Sequence, residues 1–466
     1  MKSKNFVCRM LRFFRPLFCI AAGFLIINMY GCTFSGSHSV SENRGGMQEE
    51  SALNVISVSD NSQINQMKSP KVLIGLNGYG PDDNKTAFFL NGEEGGAFFV
   101  VDAATKETVY TGEMIASGHR TSKGESLLKG DFTEVSEKGT YYIEAPFIGR
   151  SYTFVIDGDY LEILQENLKE VLQNEAEGVY LYRIQTLCWI LRYEEFYGEK
   201  KTAAGSFELP EMLKCAKELG DSLIGEKEEV LSLEESAFYC DAMAGLYKAL
   251  KPYDERVARN YLREAEAAYQ QLESRQYEEG FDRIWIFYGT SVLYNATGNG
   301  VYHNAFESYL KDEQERNLFA AGGKEEQIFK DEAYIYGVVA YLTNTFSVDV
   351  DLCNKLMEEL LEGTRGIGAE YNDNPYLCVS NDLRNRLLSG RLYMLAVAEY
   401  ATLSKEYIQI MKEGIHYIDG CNETGISLLS KEGIQDPGRD DKDSDASISG
   451  AYLFVLGEII KRETME

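Results

Sequence analysis

Positive charge is scarce in this chain. Forty-six Lys and Arg stand against 74 Asp and Glu in 466 residues, a formal net charge of −28. Five of those cations (Lys2, Lys4, Arg9, Arg12, Arg15) sit in the first 31 residues, which hold no acid, so the remainder is more acidic still. That balance excludes nucleic acid and an anionic membrane face as direct partners. Histidine is scarce too, with four in the chain, and no CxxC or Cys/His pairing occurs, which argues against a zinc site. Cys188, Cys215, Cys240, Cys353, Cys378 and Cys421 lie scattered in apolar helical patterns and read as buried free thiols. Long apolar runs are also missing. The one at residues 16–27 is too short for a comfortable membrane span.

That run has a different use. Basic residues precede it, and Met29, Tyr30, Gly31 and Cys32 follow it. A small residue before Cys at this place resembles the lipobox of bacterial lipoproteins, which implies cleavage before Cys32 and lipidation of its thiol. Residues 1–31 are then a signal peptide and the product an extracytoplasmic, membrane-anchored lipoprotein at the cell surface. Two acyl chains would anchor it stably. Residues 32–70 are rich in Ser, Asn, Gly and Glu without apolar period, a flexible tether with a reach of roughly 30–35 Å.

Residues 71–157 change character. β-Rich runs at 71–76, 86–90, 97–101, 108–110, 139–144 and 151–156, separated by Gly, Asn and Pro turns, predict a small antiparallel sandwich. From 158 to 466 the period is helical. Segments 179–193, 236–249, 284–296, 331–342, 387–401 and 448–460 are apolar around most of their circumference. Segments 160–172, 208–223, 254–272, 303–319, 350–361 and 405–418 carry one apolar stripe. The first kind must be buried and the second covers a surface, so the alternation predicts six inner and six outer helices of an (α/α)6 barrel, a mainly α chain after a small β-domain.

Ordered short motifs carry a resemblance. Gly78-Tyr79-Gly80-Pro81, the run from Phe99 to Gly112, Asp131-Phe132, Gly139 to Ile143 and Tyr152 to Ile156 are similar to the N-terminal Ig-like module of glycoside hydrolase family 9 cellulases. Leu250 to Asp254, Asp282 to Trp285, Leu293 to Gly298 and Ile415 to Asn422 continue it to the end of the chain. The resemblance implies a six-hairpin toroid whose cleft takes a β-1,4-glucan and hydrolyses it with inversion. Inversion needs a base on water and an acid on the leaving oxygen, roughly 6.5–9.5 Å apart. The family's base lies in an Asp-Ala-Gly-Asp motif before its first inner helix. Here that motif is missing, and Glu175 and Glu177 are the acids in the short connection before Tyr180. The family's acid is a Glu three residues before an Ile entering the last inner helix. Counting back from Ile448 gives Asp445, shorter by one methylene. The family's sugar-gripping His pair and Arg fall near Arg439, without the histidines. Tyr180, Tyr182, Tyr239, Trp285 and Tyr288 stand near inner-helix starts and are candidate stacking platforms for sugar rings.

The acidic stretch 436–448 also copies half of an EF-hand at Asp441, Asp443 and Asp445. Ala446 and Tyr452 stand where that loop needs Gly and Glu, so the EF-hand reading fails. A looser calcium site near Asp441 and Asp443 stays open, and no other cofactor is expected. Three functions stay open: a tethered relative with weak or lost catalysis that binds β-glucan, an active endoglucanase with a relocated base, and a protein-interaction scaffold of an exopolysaccharide assembly system.

Overall fold

The computed structural model describes residues 70–159, 161–162, 180–192, 209–227, 230–275, 283–312, 325–371, 373–379, 385–428 and 445–464. The expected signal peptide, Cys32, the tether and most of the first outer helix lie outside the described residues.

The N-terminal domain is a two-sheet antiparallel sandwich. Its strands are β1 (Val72–Leu73), β2 (Thr86–Leu90), β3 (Ala97–Asp102), β4 (Thr108–Glu113), β5 (Ile115–Arg120), β6 (Ser126–Asp131), β7 (Gly139–Ala145), β8 (Gly149–Arg150) and β9 (Phe154–Ile156). One sheet runs β1-β2-β6-β5, the other β4-β3-β7-β8, with β9 also paired to β7. Strands β5, β6 and β8 were not expected from the sequence. β5 has an exposed, irregularly paired backbone and β6 has two adjacent apolar residues, so neither shows an alternating pattern.

The period of two explains the first sheet's apolar runs. In β1 and β2, Val72, Ala87 and Phe89 point into the sandwich core, while Leu73, Phe88 and Leu90 point out into the helical core. In β6, Leu128 turns inward and Leu127 turns toward the helices. Both faces are buried, so the strand Thr86–Leu90 reads as a continuous hydrophobic run. Phe88 completes the junction, its ring 5.4 Å from that of Tyr376.

The helical domain comprises α1 (Tyr180–Arg192), α2 (Glu211–Glu226), α3 (Leu233–Leu250), α4 (Glu255–Ser274), α5 (Arg283–Thr297), α6 (Gly300–Asp312), α7 (Glu325–Leu342), α8 (Val350–Tyr371), α9 (Asn385–Thr402), α10 (Lys405–Ile418) and α11 (Asp445–Thr464). The odd-numbered helices pack each against the next, and α11 returns against α1, so the inner ring closes. The even-numbered helices lie outside it, α4 against α3, α6 against α5 and α10 against α9. This is the barrel the alternation predicted. The outer α8 runs ten residues beyond its expected end because Gly363, Thr364, Ile367 and Tyr371 keep its stripe buried.

Local chemistry starts the helices where they start. Ser232 and Glu235 form a reciprocal capping box at α3, Ser232 Oγ accepting from Glu235 N at 3.1 Å and Glu235 Oε2 from Ser232 N at 2.8 Å. Asp254, ending the Pro252-Tyr253-Asp254 turn, caps α4 by accepting from the backbone of Arg256 and Val257. The described Cys188, Cys215, Cys240, Cys353, Cys378 and Cys421 are free thiols, and all but the half-buried Cys215 are buried.

Candidate functional site

The axis of the toroid has two layers. The first is aromatic. Trp189 of α1 meets Tyr336 of α7 and Tyr393 of α9 edge-on, at 5.7 and 5.3 Å. Phe238 of α3 lies 5.6 Å from Tyr288 of α5 and 6.1 Å from Tyr336. Phe454 of α11 closes the ring against Tyr393 at 5.1 Å. Edge-to-face contacts of this kind hold large rings without a void.

A polar knot crosses this layer. Arg192 Nη2 donates to Asp241 Oδ2 at 2.8 Å and to Tyr288 Oη at 2.6 Å, and Tyr288 in turn donates to Asp241. The guanidinium carbon lies over the Tyr336 ring, 3.9 Å from its centre. Burial alone would lower the Arg192 pKa, but its electrostatic attraction to the Tyr288 hydroxyl and the Asp241 carboxylate outweighs that and holds it above the usual value. The same burial pushes the Tyr288 hydroxyl and the Cys188 thiol well up, so both stay protonated.

Beyond the aromatics, toward the C-terminal ends of the inner helices, the axis opens into a cavity of about 330 Å³ lined by all six inner helices. It exists because the residues facing the axis there are small: Ala244 and Gly245 on α3, Ala340 on α7 and Ala396 on α9. On the other side of the aromatic layer, toward the N-terminal ends, stands Glu332 of α7. It is 5% exposed and accepts from Tyr336 Oη one turn on.

The residues singled out in sequence are divided by this geometry. Asp445 opens α11, at the N-terminal end of the last inner helix. Arg439, Asp441 and Asp443 lie outside the described residues. Of the expected sugar platforms, Tyr180 and Tyr239 are corrected: both turn away from the axis. Tyr180 Oη donates to the Leu223 carbonyl of outer helix α2 at 2.9 Å, and Tyr239 Oη to Glu264 of outer helix α4 at 3.2 Å. Helix period decides it, since positions beside the inner-helix starts face outward as often as inward. Trp285 is buried against Phe238 at 6.0 Å, and Tyr182 is half-buried on α1. Tyr288 does reach the axis, as part of the polar knot rather than as an open face. Sequence reasoning passed over Arg192, Asp241 and Glu332. Their signal was present: a charged residue inside a helix apolar on every side has to be paired in the core. Among the described residues no cluster of His, Cys, Asp and Glu could hold a metal ion.

A closed ring of inner helices wrapped by outer ones, joined to an Ig-like sandwich, defines the six-hairpin glycosidase architecture. Residues 67–150 match the family described as cellulase N-terminal ig-like domain, and residues 223–439 match glycosyl hydrolase family 9. The chain belongs to glycosyl hydrolase family 9, with the Ig-like domain ahead of its helical barrel. Its fold is similar to a metagenome-derived glycoside hydrolase family 9 endoglucanase, with TM-score 0.64 and 14% identity over 83% of this chain and 98% of that one. A Bacteroides ovatus family 9 structure gives TM-score 0.62 and 14% identity over 84% and 98%. AaCel9A, solved in complex with cellobiose-like isofagomine, gives TM-score 0.62 and 14% identity over 84% and 100%. No curated protein matches the chain.

Proposed function

We propose that this protein is a surface-tethered lipoprotein, anchored through Cys32, that binds a β-glucan-type polysaccharide with its hydrolytic step weakened or lost. The observation that carries the reading is the connection before the first inner helix. Between Tyr160 and Tyr180 there is no aspartate, and the base motif of the family has no counterpart. Without a base, Asp445 and a bound sugar are half of an inverting mechanism, and loss of one proton-transfer partner costs about 10²–10⁴-fold in rate. The family match and the similar structure with a bound cellobiose-like ligand support glycan binding, since sugar binding can outlast the loss of a catalytic carboxylate.

The test is affinity chromatography of the chain from residue 40 onward on insoluble and mixed-linkage β-glucans. Retention is expected; passage through every glycan column would leave the scaffold reading in its place.

A second reading, an endoglucanase with a relocated base, is favoured by Glu332. It is a buried carboxylate on the same side of the aromatic layer as Asp445. Reducing-end release from soluble β-glucan decides between the two. Turnover abolished by both Asp445→Asn and Glu332→Gln would establish the second reading, and background release from the unaltered protein would support the first.

A further inference from the structure

A polar layer lies on the N-terminal side of the aromatic one. On α1, Trp189 turns its ring to the axis and Arg192 lines the axial cavity. At about 100° per residue, Gln185 points between those two directions, one turn nearer the N-terminal end. Glu332 holds the matching place on α7, one turn before Tyr336, from whose hydroxyl it accepts. Trp189 and Tyr336 meet at 5.7 Å, so the side chains one turn above them face one space. On α11, Gly450 packs on Trp189, and Asp445 opens the helix five residues earlier. With a rise of about 1.5 Å per residue, Gln185 and Asp445 stand about 6 and 7.5 Å above that contact.

Gln185 is 2% exposed, and its Oε1 has no hydrogen-bond partner among the described residues. A buried amide left unmet destabilises a fold, and a methionine of nearly the same shape would carry no such penalty. Polar groups close by are met, Tyr288 by Asp241 and Arg192, and Glu332 by Tyr336. The open amide therefore calls for a partner from outside the chain. Its chemistry narrows the choice. An amide offers an acceptor oxygen and two N–H donors without charge, and so suits a hydroxyl, which both donates and accepts. The aromatic rings beneath it suit the apolar face of a sugar.

We propose that Gln185 is a substrate-binding residue, whose side-chain amide hydrogen-bonds a hydroxyl of the sugar unit that reaches deepest toward the axis. The inference rests on the glucan reading and names the contact that recognises a neutral sugar at the floor of the site. It does not depend on whether the bound glucan is hydrolysed. A buried water would also satisfy the amide, and substitution separates the two.

The experiment is titration calorimetry of the full-length chain in detergent with cellotetraose, comparing the parent with Gln185→Met. The variant keeps the side chain's length and removes its hydrogen bonds, and should bind about tenfold more weakly. Urea unfolding without sugar is the second measurement. Because the amide has no partner in the chain to lose, the variant's midpoint should equal or exceed the parent's. A lower midpoint would overturn the proposal, since the amide would then be serving the fold. Equal affinity of parent and variant for cellotetraose would overturn it too, leaving a buried water only. In that case the parent still binds, so the glucan reading stands. A parent that binds neither cellotetraose nor β-glucan columns would overturn that reading and this inference together.

Discussion

The ring of Tyr79 lies against that of His416, centroids 4.4 Å apart and planes tilted by 39°, across the boundary between sandwich and toroid. Gly78, with φ of 105° and its Cα hydrogens against the Val155 carbonyl, forms the turn that aims Tyr79 at the helices. Tyr79 Oη accepts from Gly75 N at 2.8 Å, and Asp83 of the same turn pairs with Lys412 of α10 at 2.5 Å. Behind the turn the buried Lys85 Nζ donates to the carbonyls of Pro81 and Asp83. The Gly-Tyr-Gly-Pro motif is thus the docking element between the domains.

Three buried groups at this junction give stability a pH dependence. Burial pushes His416 down to about 4, with Asp83 pulling up and Lys412 and Lys85 pushing down further. Burial pushes Glu413 up to about 8 despite a hydrogen bond from Gln409, with Asp83 and Asp131 adding to the rise. Burial pushes Asp419 up to about 7, against hydrogen bonding from Tyr452 and Asn77. His416 is neutral when folded and gains a proton on unfolding, so its contribution is present above 6.5 and lost as pH falls toward about 4. Glu413 is protonated when folded and releases its proton on unfolding, so its contribution is present below 4.5 and lost as pH rises through about 8. Asp419 behaves likewise between 3.8 and about 7. From pH 6.5 to 8, where His416 is silent, stability should therefore fall. Urea unfolding of Glu413→Gln should show a flatter profile there, with a gain at pH 8 on the order of 2 kcal/mol. Parallel profiles for variant and parent would contradict this account.

The aromatic layer depends on one absent side chain. A Cβ on Gly450 of α11 would stand 2.2 Å from Trp189 Cγ, and Trp189 is held in turn by Tyr336 and Tyr393. Gly450→Ala raises helix propensity on α11 yet should lower stability in urea unfolding by about 1–3 kcal/mol, because overpacking outweighs propensity. The double variant Gly450→Ala with Trp189→Leu should lose less than the sum of the single changes. Strict additivity would mean the two sites do not touch.

How much of this was legible depended on period and on pairing. The inner and outer helices could be read because apolar circumference and apolar stripe are properties of one helix at a time, as in the stripe of Ala258, Tyr261, Ala265, Ala268, Tyr269 and Leu272 on α4. β5 and β6 could not be read, because each borrows its order from a neighbour rather than from its own pattern. The direction of Tyr180 and Tyr239 was hidden for a related reason: a tyrosine beside a helix start has two sides to turn to. The hydroxyl's partner, the Leu223 carbonyl or Glu264, comes from another helix. Counting back from Ile448 placed Asp445 ahead of the last inner helix; the helix in fact starts three residues earlier than the apolar run, at Asp445 itself.

The anchor can be tested apart from the fold. If Cys32 carries two acyl chains, the unaltered chain should sediment with membranes, be released by detergent and not by salt, and take up labelled palmitate. Cys32→Ser should accumulate in the soluble fraction, or as an uncleaved precursor, without label. Membrane retention of Cys32→Ser with the leader removed would point to a protein partner instead of a lipid.

The polar knot of Arg192, Asp241 and Tyr288 makes the last prediction, because its three members have different worth. Side-chain exposures of 12% and 17% place the Arg192–Asp241 pair largely out of water. Asp241→Asn keeps the shape but leaves a guanidinium in the core without its carboxylate, and should cost about 3 kcal/mol in urea unfolding. Tyr288→Phe removes one hydroxyl from two hydrogen bonds and should cost about 1 kcal/mol. Replacing both charges together, Arg192→Met with Asp241→Leu, removes the desolvation of each along with their attraction. The double variant should therefore be more stable than Asp241→Asn alone. A double variant no better than the single one would show that the pair contributes by packing rather than by charge.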